Sequence, residues 1–458
     1  MSLLIRNGRI VTATDDYSAD IYCTDQTITR IERGIDPKSL PAGTEVIDAT
    51  GKLVFPGFID PHVHIHLPFM GTHAKDTWET ASRAALIGGT TTLIEMICPG
   101  KADDPMAAFE TWLGKASGVA ACDFTFHMGV TRFDDAAEAQ LRAIVARGIR
   151  SFKVFLAYKD ALGVDDRELY HTMRLAKELG VIVTAHCENE TIVDERQREL
   201  LAAGKTGPEW HEPSRPVRVE AAGVHHLMTF AELTGASVYV VHTSCREAAL
   251  EARCAIDRGV DAHVEVVIPH LVLDKSYAEK PGFEGAKYVM SPPLRDKAQL
   301  PAMWDLLRAG VLETVATDHA PFDFATQKTM GRDAFTKIPN GIPSVEDRVN
   351  LLYTHGVAAG RIDLHTFVNA ASTRAARIFG LTGKGTIAVG ADADIVVYDP
   401  AYRGVISAKT HSMATDYSAF EGWEIKGRPS VVTVRGAIMA RDGKFVGTLG
   451  HGRLAPRT

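Results

Sequence analysis

The segment "GFIDPHVHIHL", residues 57–67, ends an apolar run with three histidines at every second position. Alternate side chains of a β-strand share a face, so His62, His64 and His66 point one way and Val63, Ile65 and Leu67 the other. A single buried histidine is more often a hydrogen-bonded core residue, but two neighbouring imidazoles on one face suggest a metal. Further ligands must then come from elsewhere in the chain. Other apolar runs carry them: Lys153 in "SFKVFL", His186 in "VIVTAHC", His242 in "SVYVVHT" and Asp318 in "ETVATD".

Four neutral imidazoles and one carboxylate are nitrogen and oxygen donors suited to zinc, with manganese, cobalt or nickel as alternatives. Six positions are too many for one tetrahedral ion. Two divalent ions about 3.5–4 Å apart, bridged by a hydroxide and by one shared side chain, would use them all. Lys153 is the awkward member, because an ammonium beside two dications would be repelled. Burial would make it a neutral amine, and such an amine can take up carbon dioxide to give a bridging carbamate, N6-carboxylysine. Singly, each residue has an ordinary reading: His186 and His242 in the core, Lys153 at the surface, Asp318 capping a loop. Their shared place at strand ends sets them apart. His66 has no evident ligand role, His127 reads as packing, and His319 alternates away from Asp318.

The elements that position these residues form a regular series. Eight apolar, β-branched runs alternate with helical patterns: residues 53–60, 90–96, 123–130, 151–156, 181–187, 237–243, 261–267 and 313–318. The helical pattern "DDRELYHTMRLAKELG" starts with acids and stops at Gly180. Eight strands with interleaved helices spell an α/β fold, a (β/α)8 TIM barrel over residues 56–384, whose reacting groups stand at the C-terminal strand ends. Residues 1–55 and 385–458 hold short alternating segments around turn signals such as Asn7-Gly8, Gly390 and Asp442-Gly443. They read as one small discontinuous β domain built by both chain ends.

Composition narrows the partners. The chain of 458 residues is 45% hydrophobic and 23% charged, without low-complexity tracts, which describes an ordinary globular protein with ample core. A net charge of −7 without a basic stripe argues against nucleic acid and anionic membrane. No window of about 18 apolar residues is present and the N-terminus lacks a signal-peptide pattern, so a cytoplasmic location is expected. Six dispersed cysteines without a CxxC fit reduced thiols, and Cys187 and Cys245 read as small core residues.

Segments along nearly the whole chain resemble the hydantoinase and dihydropyrimidinase family, cyclic amidohydrolases of the amidohydrolase superfamily, and most closely its bacterial D-hydantoinase branch. They are "PGFIDPHVHI", "GGTTTLIEM", "SFKVFLAYKD", "VTAHCENE", "YVVHTSC", "YVMSPPLRDK", "VATDHAPF", "IPNGIP", "NAASTRAARIFGL" and "KGTIAVGADADIVVYDP". The resemblance implies that the end domain is a β-sandwich and the assembly a homotetramer. It also implies two metals: His62, His64 and Asp318 hold the first, His186 and His242 the second, and carboxylated Lys153 bridges them. Tyr158 matches the family tyrosine that donates to the oxyanion. Ser291 and Asn340 match positions that recognise the amide edge of the substrate ring, largely through backbone groups. Leu67, Phe155 and Leu162 match the wall of the pocket for the ring substituent, and Leu162 stands where related enzymes can carry a bulky aromatic. His66 occupies the position at which dihydroorotases place a carboxylate-binding arginine, which disfavours an acidic substrate.

The implied reaction is hydrolytic opening of a small cyclic amide or ureide, a 5-substituted hydantoin or a dihydropyrimidine, to an N-carbamoyl amino acid. The alternatives are allantoinase, and a non-catalytic scaffold of the same fold.

Overall fold

Eight parallel strands follow one another in chain order around a barrel: Phe58–Val63, Thr90–Ile97, Asp123–Gly129, Ser151–Phe155, Ile182–His186, Val238–Val240, Ala262–Val267 and Thr314–Ala316. This computed structural model describes residues 2–159 and 161–458. The strands are β-branched and almost wholly buried; every residue of the second, "TTTLIEMI", is buried, as expected of a parallel sheet covered on both faces. The ring closes just beyond the eighth strand, where Asp318 N donates to His62 O at 3.0 Å and His64 N to His319 O at 2.8 Å.

Helices cover the barrel where the sequence signals them. Asp166–Leu179 is opened by a reciprocal capping box between Asp165 and Glu168 and stopped by Gly180 at φ 64°, a left-handed conformation that costs glycine little.

A second sheet of nine strands is built from both chain ends. Its halves meet where Ile395–Val405 pairs antiparallel with Leu53–Pro56, over a core of its own that includes Leu3, Ile21, Val54 and Ile395. Two readings of the sequence are corrected here. The run 53–60 is not one strand: Leu53–Pro56 belongs to the end sheet, and the barrel begins at Phe58. Gly57 makes the switch, since a Cβ there would collide with Thr91 Oγ1. Asn7-Gly8 is not a hairpin turn either. It lies inside the strand Ser2–Val11 at a register shift, with Asn7 at φ 61°. The turn chemistry serves a β-bulge instead, and the hairpin between Asp16–Thr24 and Thr27–Glu32 turns on Asp25 and Gln26, both at positive φ.

The barrel and the end sheet are joined by a buried ion cluster. Lys384 Nζ lies 2.5, 2.8 and 2.7 Å from carboxylate oxygens of Asp123, Asp392 and Asp394. These three acids are grouped closely enough to hold a cation, and the ammonium already fills that place.

Candidate metal centre

At the C-terminal mouth of the barrel, His62, His64, Lys153, His186, His242 and Asp318 line one cavity, together with Leu67, Phe155, Tyr158, Leu162, Ser291 and Asn340. All twelve residues singled out in the sequence are therefore brought together. His66 does not line this cavity; the chain turns at φ 60° there, after the strand has ended.

The donors form two groups. His62 Nε2 and His64 Nε2 are 3.3 Å apart, and Asp318 Oδ1 lies 3.2 and 3.1 Å from them. Across the mouth, His186 Nδ1 and His242 Nε2 are 3.0 Å apart. Lys153 is fully buried and its Nζ has no hydrogen-bond partner, lying 4.8 Å from the centre of the Phe155 ring.

Electrostatics keep the donors in ligand form. Burial holds the His62 and His242 imidazoles well below their ordinary pKa, and so neutral. Burial also lowers Lys153 to about 8, which makes its neutral amine accessible. For Asp318 burial acts upward, but His62, His64 and Lys153 outweigh it and hold the carboxyl at about 2.

Two carboxylates that the sequence reading passed over fix the tautomers. Glu265, in the seventh strand, accepts from His62 Nδ1 at 2.8 Å, from His242 N at 2.8 Å and from the Tyr239 hydroxyl at 2.8 Å. Glu188 accepts from His186 Nε2 at 2.7 Å and from Arg215 at 2.6 Å. With those ring nitrogens engaged, Nε2 of His62 and Nδ1 of His186 present lone pairs to the cavity. This is the usual arrangement behind a metal-ligating histidine.

The backbone is held there at some cost. Tyr158, His242 and Asp318 sit at φ 63°, 40° and 51°, a region non-glycine residues seldom adopt and which costs on the order of 1–3 kcal/mol each. Compensating bonds surround them. Asp60, the acid of the opening segment, accepts from Thr317 Oγ1 at 2.6 Å and Thr317 N at 3.2 Å, tying the first strand to the eighth beside Asp318. Glu95 accepts from Ile65 N at 2.8 and 2.7 Å, fixing the chain as it leaves His64.

Other histidines are structural. His127 reaches Ser151 Oγ at 2.6 Å and Pro61 O at 2.9 Å, and His319 reaches Asp76 at 2.9 Å.

The donor set fits two divalent ions. Five nitrogen and oxygen atoms converge in two groups, and a buried amine without a hydrogen-bond partner lines the same cavity. A bound carbamate at Lys153 would supply the anion this arrangement lacks.

On the cavity wall, Tyr158 is bracketed by Phe69, with ring centres 5.7 Å apart, and His186, at 5.4 Å. Asn340 Nδ2 donates to Ser291 Oγ at 2.9 Å.

Comparison with known proteins gives a consistent picture. The amidohydrolase family model matches residues 53–439. A D-hydantoinase of Geobacillus stearothermophilus is 47% identical over 100% of this chain and 97% of its own length. A dihydropyrimidinase of Rattus norvegicus is 39% identical over 99% of this chain and 88% of its own. The solved structure of a D-hydantoinase (dihydropyrimidinase) from Thermus sp. superposes with a TM-score of 0.97 at 62% identity, covering 99% of both chains.

Proposed function

The chain belongs to the amidohydrolase family, and on that premise we propose that it is a cyclic amide hydrolase with two divalent ions. It opens 5-substituted hydantoins and dihydropyrimidines to N-carbamoyl amino acids. The observation that carries this reading is the convergence of two histidine pairs, Asp318 and an unpartnered buried Lys153 in one cavity lined by Tyr158, Ser291 and Asn340.

His62, His64 and Asp318 would hold one ion, His186 and His242 the other, and carboxylated Lys153 would bridge them. When bound, the ions would polarise the ring carbonyl and make water acidic enough to attack near neutral pH. Asp318 takes the proton of the attacking water and returns it to the ring nitrogen as the carbon–nitrogen bond breaks. The Tyr158 hydroxyl donates to the oxygen on which charge develops, a contact typically worth a few kcal/mol in the barrier. Ser291 and Asn340 hold the amide edge of the ring. Leu67, Phe155 and Leu162 receive the ring substituent. Zinc is the ion the donors suit best, with manganese, cobalt and nickel also compatible.

The similarity to D-hydantoinases supports a preference for D-substituted rings and favours hydantoin over allantoin. A non-catalytic scaffold would have no reason to keep every donor. The reading extends to a cytoplasmic homotetramer. Six unpaired cysteines suit a reducing compartment, and no helix among the described residues is long and apolar enough to cross a membrane.

Rates and product chirality on dihydrouracil, a 5-aryl hydantoin, allantoin and dihydroorotate test the assignment. Turnover of the first two should far exceed that of dihydroorotate, because no arginine stands at position 66 to bind its carboxylate. A preference for dihydroorotate or allantoin would overturn it.

A further inference from the structure

Buried basic residues also lie outside the metal centre, and Lys328 is one of them. Lys328, at the start of the short turn Lys328–Gly331, is fully buried, and among the described residues it has no carboxylate partner. Its Nζ donates to three backbone carbonyls instead: Val289 at 2.8 Å, Pro339 at 2.7 Å and Gly341 at 2.7 Å. Burial pushes the Lys328 pKa well below its ordinary value, yet three carbonyl acceptors within 2.8 Å match the three N–H donors of an ammonium, where a neutral amine would offer two.

The carbonyls come from two separate segments, and Gly341 N also donates to Val289 O at 2.9 Å. Lysine and backbone thus lock residue 289 to residues 339–341. Gly341 has φ 149°, and a Cβ there would collide with Ala320 O, so the second segment lies flush against the chain leaving the eighth strand. From these same segments Ser291, Asn340 and Gly341 line the cavity.

Desolvating a cation is costly, and an apolar side chain could fill the same space without that cost. What the ammonium adds is direction. A peptide unit is planar, so fixing the Pro339 carbonyl also fixes the N–H of Asn340. Holding the carbonyls of 289 and 341 orients the peptide planes that follow them in the same way.

We propose that Lys328 is a positioning residue for substrate recognition, setting the backbone groups of residues 289–291 and 339–341 that hold the amide edge of the ring. This rests on the function proposed above. Lys328 touches none of the metal donors, so its loss should weaken ring binding and spare the ions.

The test compares wild type, Lys328→Met and Lys328→Gln for KM and kcat on a 5-aryl hydantoin, with metal content measured on the same samples. Methionine is unbranched and one atom shorter and offers no donor, while glutamine, also one atom shorter, offers two N–H donors. The expected result is a KM raised at least tenfold in Lys328→Met and by less in Lys328→Gln, with kcat within threefold and metal content unchanged. An unchanged KM in either soluble variant overturns the proposal, as does a fall in kcat that tracks lost metal. Failure of both variants to fold would make Lys328 a folding residue and overturn it equally. Wild type reads the parent assignment separately: no turnover of the ring rejects the substrate class, whereas turnover with variant KM unchanged rejects only the role of Lys328.

Discussion

His62 Nδ1 and Glu265 Oε1 lie 2.8 Å apart, one on the first barrel strand and the other on the seventh, both fully buried. Glu265 also accepts from His242 N at 2.8 Å, so one carboxylate orients a histidine of each donor group. Burial pushes the Glu265 carboxyl up to about 8, and Glu265→Gln keeps an acceptor oxygen but can never take the charge that a cation beside His62 would favour. Metal affinity should fall about 10–100-fold, read by competition with a chelator; unchanged affinity would leave Glu265 as packing alone.

Asp318→Asn should cut turnover by roughly a thousandfold or more, because an amide can neither take up the proton nor return it. The fold should survive: Asp318 sits at φ 51°, and asparagine tolerates the left-handed region better than most residues. Steady-state rates together with a thermal melt check this. Near-wild-type turnover with an intact melt would remove Asp318 from proton transfer.

A pH effect on stability arises away from the centre. His411 Nε2 lies 3.2 Å from Asp347 Oδ2. Burial lowers the imidazole pKa, but Asp347, Glu346 and Glu421 outweigh it and raise it from 6.5 to about 9. The folded state therefore holds this proton more tightly than the unfolded chain does. The stabilisation is complete below about pH 6.5 and is lost as pH rises through about 9. Melting temperature should decline across that interval in wild type and decline less in His411→Gln; parallel curves would refute the linkage.

Gly57→Ala tests the junction between the end sheet and the barrel. A Cβ there would collide with Thr91 Oγ1 and lie 2.9 Å from Asp394 Cβ, so a destabilisation of about 1–3 kcal/mol is expected from overpacking. Chemical denaturation measures it, and an unchanged midpoint would show that the junction can open.

Strand alternation and strand ends made the donors readable, because His62, His64, His186, His242 and Asp318 each end an apolar run whose period of two fixes its face. The residues behind them were harder to see. Glu188 follows His186 at the same two-residue spacing that separates His62 from His64, and Glu265 is an acid inside the apolar run "DAHVEVV"; both signals were present. Asn7-Gly8 misled because positive φ suits a bulge as well as a turn. Lys328 was illegible in principle, since its partners are backbone carbonyls, which residue type does not disclose.

The proposed chemistry depends most on a carbamate at Lys153. A lysine that burial lowers to about 8 offers a neutral amine, which adds to carbon dioxide to give a carbamate and one released proton. That anion would supply an oxygen to each ion, and the ions would in turn protect it from decarboxylation, so metal and carbon dioxide should bind together. The direct measurement strips the metals at mildly acid pH, then restores divalent ion with 13C-labelled bicarbonate and follows the carbamate carbon by NMR alongside activity. One labelled carbamate per chain is expected, appearing only when metal is present, rising with activity and absent in Lys153→Arg, whose guanidinium cannot form it. Full activity regained in rigorously carbon-dioxide-free buffer, or an active enzyme without the carbamate signal, would contradict it.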